Sequence, residues 1–407
     1  MSLEPIEAIR ALILEAIEPL PPRPAPLAEA AGRTAARDYR ATSALPPFSN
    51  SAMDGYALRS RDTAGAATGA PAVLSVTAEI PAGGAAGPAL GRGEAAAIMT
   101  GAPLPPGADA VVPVEEVETG TWSRSGRVGI LSPVPEGAWV RKAGSALLPG
   151  TLIIPKGRLL RPQEIAILAA LGIAEIEVYP RPRAALISTG DELTETGRAP
   201  EEGKIRDCNR ALLRALVEGA GGVAVDCGIA GDRPHALEER LERAAGTDLI
   251  LTSGGISAGA RDEVVPHLRR WGADIRRYRI RMRPGKPFAY GFIRGRPIFC
   301  LPGNPVSVYV SFLQFVRPVL LRLQGRPPEE PPEATGTMGA DFACAEDRVF
   351  FVTARVAETP GGPELFPTGP QSSGDLFSLV SAQGLIRVEP GTATLKRGDR
   401  VRFIPLA

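Results

Sequence analysis

The sequence predicts a multidomain α/β plus β protein. It combines a doubly wound α/β domain, a separate β-rich domain, a small helical region and a small all-β domain at the C-terminal end. Three observations predict this. Between 180 and 325, buried-strand patterns alternate with amphipathic helical patterns at the lengths of βαβ units. From about 45 to 145, short apolar runs alternate with Gly/Pro turns. A proline-rich stretch, "GRPPEEPPEATG" at 325–336, parts the α/β pattern from the strand-like sequence after it. The 407 residues allow about three domains at roughly 150 residues each.

Leu3, Ile6, Ile9, Ile13 and Ile17, widened by Leu12 and Leu14, predict a helix over 3–18, ended by the prolines at 19–26. Residues 28–38 read as a second short helix, and we place both in a region spanning 1–44. In the β-rich domain, 45–145, the strands are "AVLSVTAEI", "AAAIMT", "DAVVPVEEVE" and "RVGILSPV", and the Gly/Ala stretches 64–72 and 82–93 read as loop. "RPQEIAILAALGIAEIEVY" (161–179) reads as a helix to Gly172 and then a short strand, so 146–178 is the chain returning to the N-terminal region. The α/β domain, 179–326, holds the strands "RAALIST", "VAVDCGIAG" and "TDLILTSGG" and the helices "NRALLRALVEGAGG", "RPHALEERLERAAG" and "RDEVVPHLRRWG", the last interrupted or kinked by Pro266. A hairpin, "PFAYGFIRGRPIFCLPG", and a long helix at 305–324 complete it. "RVFFVTARV", "GLIRVEPG" and "DRVRFIPL" are strands of the final domain, 327–407.

Composition narrows the chemistry. Lys plus Arg number 46 against 45 Asp plus Glu, which argues against nucleic-acid binding driven by gross charge. No window reaches 18 uncharged apolar residues, so no membrane span is read. The N-terminal residues lack the basic, apolar and small-residue order of a signal peptide, and we expect a cytoplasmic protein. The four cysteines, at 208, 227, 300 and 344, show neither CxxC nor zinc-ligand spacing with histidine. His235 and His267 are the only histidines, each in a charged segment of helical pattern, and read as surface residues. Acid, base and metal chemistry then falls to carboxylates, hydroxyls and Arg or Lys. Lysine occurs only at 142, 156, 204, 286 and 396, which draws attention to Lys286.

Three α/β strands end in loops of small polar residues: "STGDEL" (188–193), "TSGGISAGARD" (252–262) and "LPGNPVS" (301–307). Glycine lets backbone N–H groups approach a ligand, and Ser or Thr hydroxyls add donors. Asn304 and Pro305 fit the N-cap and first position of a helix whose start would face the same crevice and suit an anion. Three such loops from one sheet point to a phosphorylated ligand. Asp191, Glu192, Asp232 and Asp262 accompany them. Asp232 and Asp262 suit helix caps, or Mg²⁺ coordination beside a phosphate. "RMRPGKP" (281–287) sets Arg281, Arg283 and Lys286 around a Pro-Gly turn, either a solvated basic turn or a seat for a dianion.

Together, "NSAMDGYA", "TGAPLPPGADAVVPVEE", "STGDEL", "SGGISAGARD", "RPGKP", "LPGNPVS" and "SSGDLFSL" closely resemble, in order and spacing, the molybdopterin molybdenumtransferase family, the MoeA proteins and the gephyrin E domain. The resemblance covers nearly the whole chain. It implies a MogA-like α/β domain, a β-rich insert, a C-terminal β-barrel, and a homodimer whose active site lies between the α/β domain of one subunit and the insert of the other. The implied reaction joins molybdate to the dithiolene of adenylylated molybdopterin, with Mg²⁺-dependent release of AMP, and further cofactor-biosynthesis proteins as possible partners. Matched by motif position, Asp54, Thr100, Glu192, Asp232 and Asp262 are the implied catalytic residues. Lys286, Arg283, Ser307, Arg348 and Ser373 are implied for molybdate. Thr189, Gly190, Ser253, Gly254, Gly255, Pro302, Gly303 and Asn304 are implied for molybdopterin and its phosphates, and Asp191, Asp232 and Asp262 for Mg²⁺.

The sequence departs from the family pattern in "RKAGSALLPG", where Ser145 and Ala146 stand at the usual acidic pair, and at Thr353, where a second Arg is usual. The loss of the acid opens an alternative: a non-catalytic or tungstate-preferring paralogue that still binds molybdopterin.

Overall fold

The computed structural model describes residues 3–118, 122–233, 235–256, 264–327, 330–344 and 347–406. The chain forms two compact units. One comprises Met1–Arg37, Lys156–Leu168 and Ile173–Ala407, and the other Asp38–Pro155 and Ala169–Gly172.

The first unit is built on a six-stranded sheet. Its strands are β1 (Arg183–Thr189), β2 (Val223–Ala230), β3 (Leu249–Ser253), β4 (Ala273–Arg279), β5 (Pro287–Ile293) and β6 (Arg296–Leu301), in the order β2-β1-β3-β6-β5-β4. β1 is parallel to β2 and β3, and β3 to β6, while the hairpin β5–β6 and its neighbour β4 pair antiparallel. Successive strand residues point to opposite faces. Ala184, Leu186, Leu249, Leu251 and Phe299 therefore join one core, and Ala185, Ile187, Ile250, Ile298 and Cys300 another. Burial on both faces explains why β1 and β3 read as unbroken apolar runs. Each large apolar side chain so buried contributes about 1.5–3 kcal/mol.

Helix Asn209–Gly219 is started by Asp207, whose carboxylate accepts from the Asn209 and Arg210 N–H groups (3.0 and 3.3 Å). Helix Ala236–Arg243 follows His235, whose own side chain makes no capping bond. Helix Val264–Arg270 contains Pro266 without a break among the described residues. The long helix is present at 305–323 but is not uniform: Pro305–Ser311 and Arg317–Leu323 are α-helical, and Phe312–Val316 is a π turn. Pro318 offers no N–H and crowds the carbonyl four residues back, and the Arg317 N–H bonds Phe312 O, five residues back. By length and composition this helix could cross a membrane, but 78% of it is buried inside the protein, as befits a core helix.

The N-terminal helix is Ile6–Glu15, and its Ile6, Ile9 and Ile13 enter the same core as Phe312, Phe315 and Val319. The second helix expected at 28–38 is absent. Leu27–Glu29 is a single 3₁₀ turn, and Arg23–Pro26 and Thr34–Ala35 are strands flanking Glu175–Tyr179. Gly32 breaks the helical pattern, and pairing with Val178 and Tyr179 overrides the helix propensity of the alanines.

Toward the C-terminal end, five strands close into a barrel: Val349–Thr359, Gly362–Pro367, Ala334–Met338, Arg400–Pro405 and Gly384–Val388, the last pairing back to the first. Met282–Arg283 adds to it, pairing in parallel with Val349 and Phe350.

The second unit centres on a five-stranded sheet in the order Ala110–Pro113, Gly55–Leu58, Glu94–Ile98, Ala72–Ile80, Gly126–Ile130. Four of these match expected strands. Gly55–Leu58, which is not among the expected strands, is a central, fully buried strand without polar alternation. Gly55 is required there, since a Cβ would stand 1.9 Å from Val112 O.

At the start of helix Pro162–Ala170, Glu164 reaches back to the Arg161 N–H (3.0 Å) and holds the Arg161 and Arg158 guanidinium groups (2.7 and 3.2 Å). Hydrogen bonds from Arg161, ahead of those from Arg158, push its carboxyl down to about 2 from an ordinary 4.5. A depressed pKa stabilises the fold above the unfolded value and ceases to as pH falls through the folded one. Replacing Glu164→Gln is expected to cost on the order of 1 kcal/mol near neutral pH. Thermal unfolding measured from pH 7 downward should show the gap between variant and parent closing between about 4.5 and about 2.

Candidate functional site

Register places the site. Ser188 lies opposite Ser253, and Ser253 opposite Leu301, so the loops after β1, β3 and β6 leave the sheet on the same rung. That edge is the carboxyl end of the parallel strands, where open α/β sheets bind ligands. A cleft of about 730 Å³ opens there, lined by Gly254, Gly255, Pro302, Gly303, Asn304, Ser307 and Glu192 on the sheet side. Arg283, Lys286, Arg348, Gln371, Ser372 and Ser373 line it from the Pro-Gly turn and the barrel.

The floor is made by close backbone packing. Gly254 and Gly255 have φ of +95° and +63°. A Cβ on Gly254 would stand 2.5 Å from Thr189 O. Thr189 and Ser253 are buried beneath this turn; the Thr189 hydroxyl donates to Ser253 O (3.2 Å), and the Ser188 and Ser253 hydroxyls are 3.2 Å apart. Gly303 is held from below by the Asn209 amide, which donates to its carbonyl (2.7 Å).

Asn304 has the extended backbone of an N-cap, and its carbonyl accepts from the Val308 N–H, but its side chain makes no capping bond. Its amide donates to the Ser373 hydroxyl instead (2.7 Å). The Val306 N–H of the same helix donates to Ser373 O (3.1 Å). Part of the anion-facing donor set expected at this helix start is thus occupied by the barrel loop. Because Ser373 Oγ accepts from Asn304, its own proton is left to donate elsewhere. Beyond Ser373, Asp375 caps the short helix Leu376–Val380, and hydrogen bonds from the Ser378 hydroxyl and N–H hold its carboxyl below the usual range.

The cations form the opposite wall. Arg283 stacks over the Phe350 ring, 4.5 Å from its centroid, which orients the guanidinium plane. Lys286 makes no ion pair among the described residues, and Arg348 pairs with neighbouring Asp347 (3.0 Å). Arg281 is exposed and does not line the cleft.

Among the carboxylates, Glu192 lines the cleft. Asp191 accepts from the Asp232 N–H (2.8 Å), joining the loops after β1 and β2. The Gly190 N–H donates to Ala230 O (3.1 Å) in the same junction. Thr189 and Asp232 border a separate, smaller cavity of about 30 Å³ that also touches His267. Asp262 lies outside the described residues. Among the described residues no three His, Cys, Asp or Glu side chains gather closely enough to hold a metal ion by themselves.

In the second unit, Asp54 and Thr100 meet: the Asp54 carboxylate accepts from the Thr100 N–H (2.6 Å). Their loops are knitted by backbone bonds from Ser51 N to Ala102 O, from Gly101 N to Ser51 O and from Leu104 N to Ser49 O. Ser145 and Ala146 are exposed in a turn whose Ala146 N–H donates to Leu45 O (3.0 Å), so the fold itself asks for no acid there.

Gln371 was missed by motif reading. It lines the cleft with φ +58°, and its amide bonds Thr353 and Thr368. The only sequence signal is its place between Pro370 and Ser372 in a Gly/Ser-rich loop.

A sheet of mostly parallel strands cored on both faces, with a cationic, glycine-floored cleft at its carboxyl edge, is an α/β scaffold whose cleft suits an anionic ligand. The chain matches, in order, the models of the MoeA N-terminal region (domain I and II) over 4–172, a probable molybdopterin binding domain over 185–322 and the MoeA C-terminal region (domain IV) over 335–406. It is 36% identical over 397 residues to molybdopterin molybdenumtransferase 2 of Mycobacterium tuberculosis, covering 96% of each chain. It is also 36% identical over 381 residues to the molybdopterin molybdenumtransferase of Nostoc sp., covering 92% of this chain and 86% of that one. Its structure is similar to the crystal structure of the molybdopterin biosynthesis MoeA protein of Pyrococcus horikoshii OT3, with a TM-score of 0.81, 29% identity and full coverage of both chains. The chain belongs to the molybdopterin molybdenumtransferase (MoeA) family, enzymes of molybdenum cofactor biosynthesis.

The floor generates a prediction. Gly254→Ala forces a Cβ against Thr189 O at a φ that favours glycine, and is expected to cost about 2 kcal/mol. Denaturant unfolding should show this loss, whereas Ala substitution at the exposed Gly272, where φ is also positive (+86°) but a Cβ meets open space, should cost less.

Proposed function

We propose that the chain joins molybdate to the dithiolene of adenylylated molybdopterin and releases AMP in a Mg²⁺-dependent step. The observation that carries this is the single cleft that gathers Lys286, Arg283, Arg348, Ser307 and Ser373 against the glycine floor. A tetrahedral dianion suits cations and hydroxyl donors at one end. A pterin with its phosphates suits the backbone-lined end of Gly254, Gly255, Pro302, Gly303 and Asn304. Thr189, Gly190 and Ser253 support that end from beneath, since they are held in backbone and hydroxyl bonds of the loops themselves.

The chemistry balances without an external oxidant or reductant. Both sulfurs of the dithiol bind molybdenum, their two protons leave with one oxo ligand as water, and the metal keeps its oxidation state. In the second part, water attacks phosphorus, the phosphoanhydride P–O bond breaks, and AMP departs while the pterin keeps its own phosphate. Lys286, Arg283 and Arg348 hold the oxyanion. Ser307 and Ser373 orient it by hydrogen bonds. Glu192 accepts a proton at the cleft edge, and Asp54 with Thr100 are the catalytic candidates of the second unit.

Oxygen donors suit Mg²⁺, and the joined loops of Asp191 and Asp232 supply carboxylates; Asp262 is the third candidate of the same set. Lacking a described cluster of three, the donors fit an ion completed by substrate phosphates and water rather than a protein cage. When bound, Mg²⁺ supplies charge neutralisation at the phosphoanhydride. The proposal includes a homodimer and a cytoplasmic setting.

A second reading rests on Ser145 and Ala146: a non-catalytic or tungstate-preferring paralogue. AMP release from adenylylated molybdopterin, with Mg²⁺ and with molybdate, tungstate or neither, separates the two. Molybdate-dependent release is expected. Release faster with tungstate supports the paralogue, binding without release supports a non-catalytic one, and release indifferent to either oxyanion sinks both. Lys286→Ala is expected to raise the molybdate concentration for half-maximal rate at least about tenfold. Asp232→Asn should slow AMP release about a hundredfold at saturating substrates.

A further inference from the structure

The strand Val349–Thr359 has two edges. Along one it pairs with Gly384–Val388, from Phe350 to Ala354. Along the other it pairs with Met282–Arg283 at Val349 and Phe350, and with Gly362–Pro367 from Ala354 onward. Between those two partners, among the described residues, the second edge has no strand opposite Phe351, Val352 and Thr353.

The side chain of Gln371 occupies that gap. Its Oε1 accepts from the Thr353 N–H (2.9 Å) and from the Thr353 hydroxyl (3.0 Å). Its Nε2 donates to Thr353 O (2.9 Å) and to Thr368 O. One amide thus meets both backbone groups of Thr353, as a neighbouring strand would. The Thr368 hydroxyl adds a bond to the Thr353 hydroxyl (2.9 Å), and the Thr368 N–H one to Thr353 O (2.8 Å). Gln371 itself sits at φ +58°, a conformation a non-glycine residue holds only when its surroundings compensate.

The position of this brace gives it consequence. On one side of the gap, Met282–Arg283 leads directly into the turn that carries Lys286. On the other, the loop from Thr368 runs through Gln371 to Ser373, whose far end is tied to Asn304 and to the Val306 N–H. The cationic turn and the serine loop both line the cleft, and the Gln371 amide ties the loop to the same strand, Val349–Thr359, on which Met282–Arg283 pairs. We infer that Gln371 is a positioning residue that sets the spacing of the molybdate subsite without using its own amide on the ligand, its four side-chain hydrogen bonds among the described residues being three to Thr353 of the barrel and one to Thr368 at the start of the loop. This rests on the reading of the cleft as a molybdate site.

The test is steady-state AMP release by the full-length enzyme with molybdate and adenylylated molybdopterin varied separately. Gln371→Ala is expected to raise KM for molybdate about tenfold, with kcat within about twofold and KM for the pterin unchanged. Unchanged molybdate KM overturns the inference. So does a matched fall of kcat, of both affinities and of the thermal midpoint, which is what a purely structural residue gives. Should the alanine variant not fold, Gln371→Glu serves. Its carboxylate would face two carbonyls, which disfavours the charged form and raises its pKa. The molybdate KM defect should therefore be large at high pH and relieved as pH falls and the carboxyl regains a donor; a defect independent of pH overturns the inference. If the parent enzyme shows no molybdate dependence, the proposed function fails, whatever the variants do.

Discussion

The parallel pairing of β1, β3 and β6 carries the rest of the molecule. Because Ser188, Ser253 and Leu301 share a rung, three glycine-bearing loops emerge side by side, and a cleft forms wherever they cannot fill the space between them. That register is stable because a slip of one residue would turn Leu186, Leu251 and Phe299 toward the opposite face. Two dry cores, one on each face, hold it in place. The polar ends of the same strands, Ser188, Thr189 and Ser253, are hydrogen-bonded to one another under the glycine turn.

A second constraint is the union of the barrel with the α/β sheet. It is made by a shared apolar core, in which Val349, Phe351, Leu385 and Ile404 of the barrel join Ile280, Met282 and Phe312, and by short polar ties: the Met282–Arg283 pairing, the Arg283–Phe350 stack and the Asn304–Ser373 bond. Ties of this kind are worth about 0.5–1.5 kcal/mol apiece. They are weak beside the cores, but they decide where the cations and hydroxyls stand relative to the glycine floor.

Much of this was legible in the sequence, for physical reasons. Strands buried on both faces and amphipathic helices leave periodic signatures, so the alternation from Arg183 to Leu323 was readable. Gly/Ser loops after strands announced the carboxyl-end cleft. Other features depend on partners distant in the chain. No local pattern shows that Asp54 meets Thr100, or that Gly55–Leu58 is a central strand rather than loop. The alanines after Leu27 favour helix until Glu175–Tyr179 claims Thr34 and Ala35. Asn304 was placed correctly as backbone, but its side chain went to a serine 69 residues away. Gln371 carries no motif, since what defines it is an opening in a strand edge.

The π turn at Phe312–Val316 has a consequence for how this chain tolerates change. A π turn takes up one extra residue within a single wider turn, so the helix continues beyond it with its apolar stripe on the same side. Val308 and Val310 before the turn and Val319, Leu320 and Leu323 after it accordingly enter one core, the core that also receives the N-terminal helix. The turn is thus the place where this helix tolerates a change of length: losing one residue from Phe312–Val316 leaves an uninterrupted α-helix with both ends still facing that core.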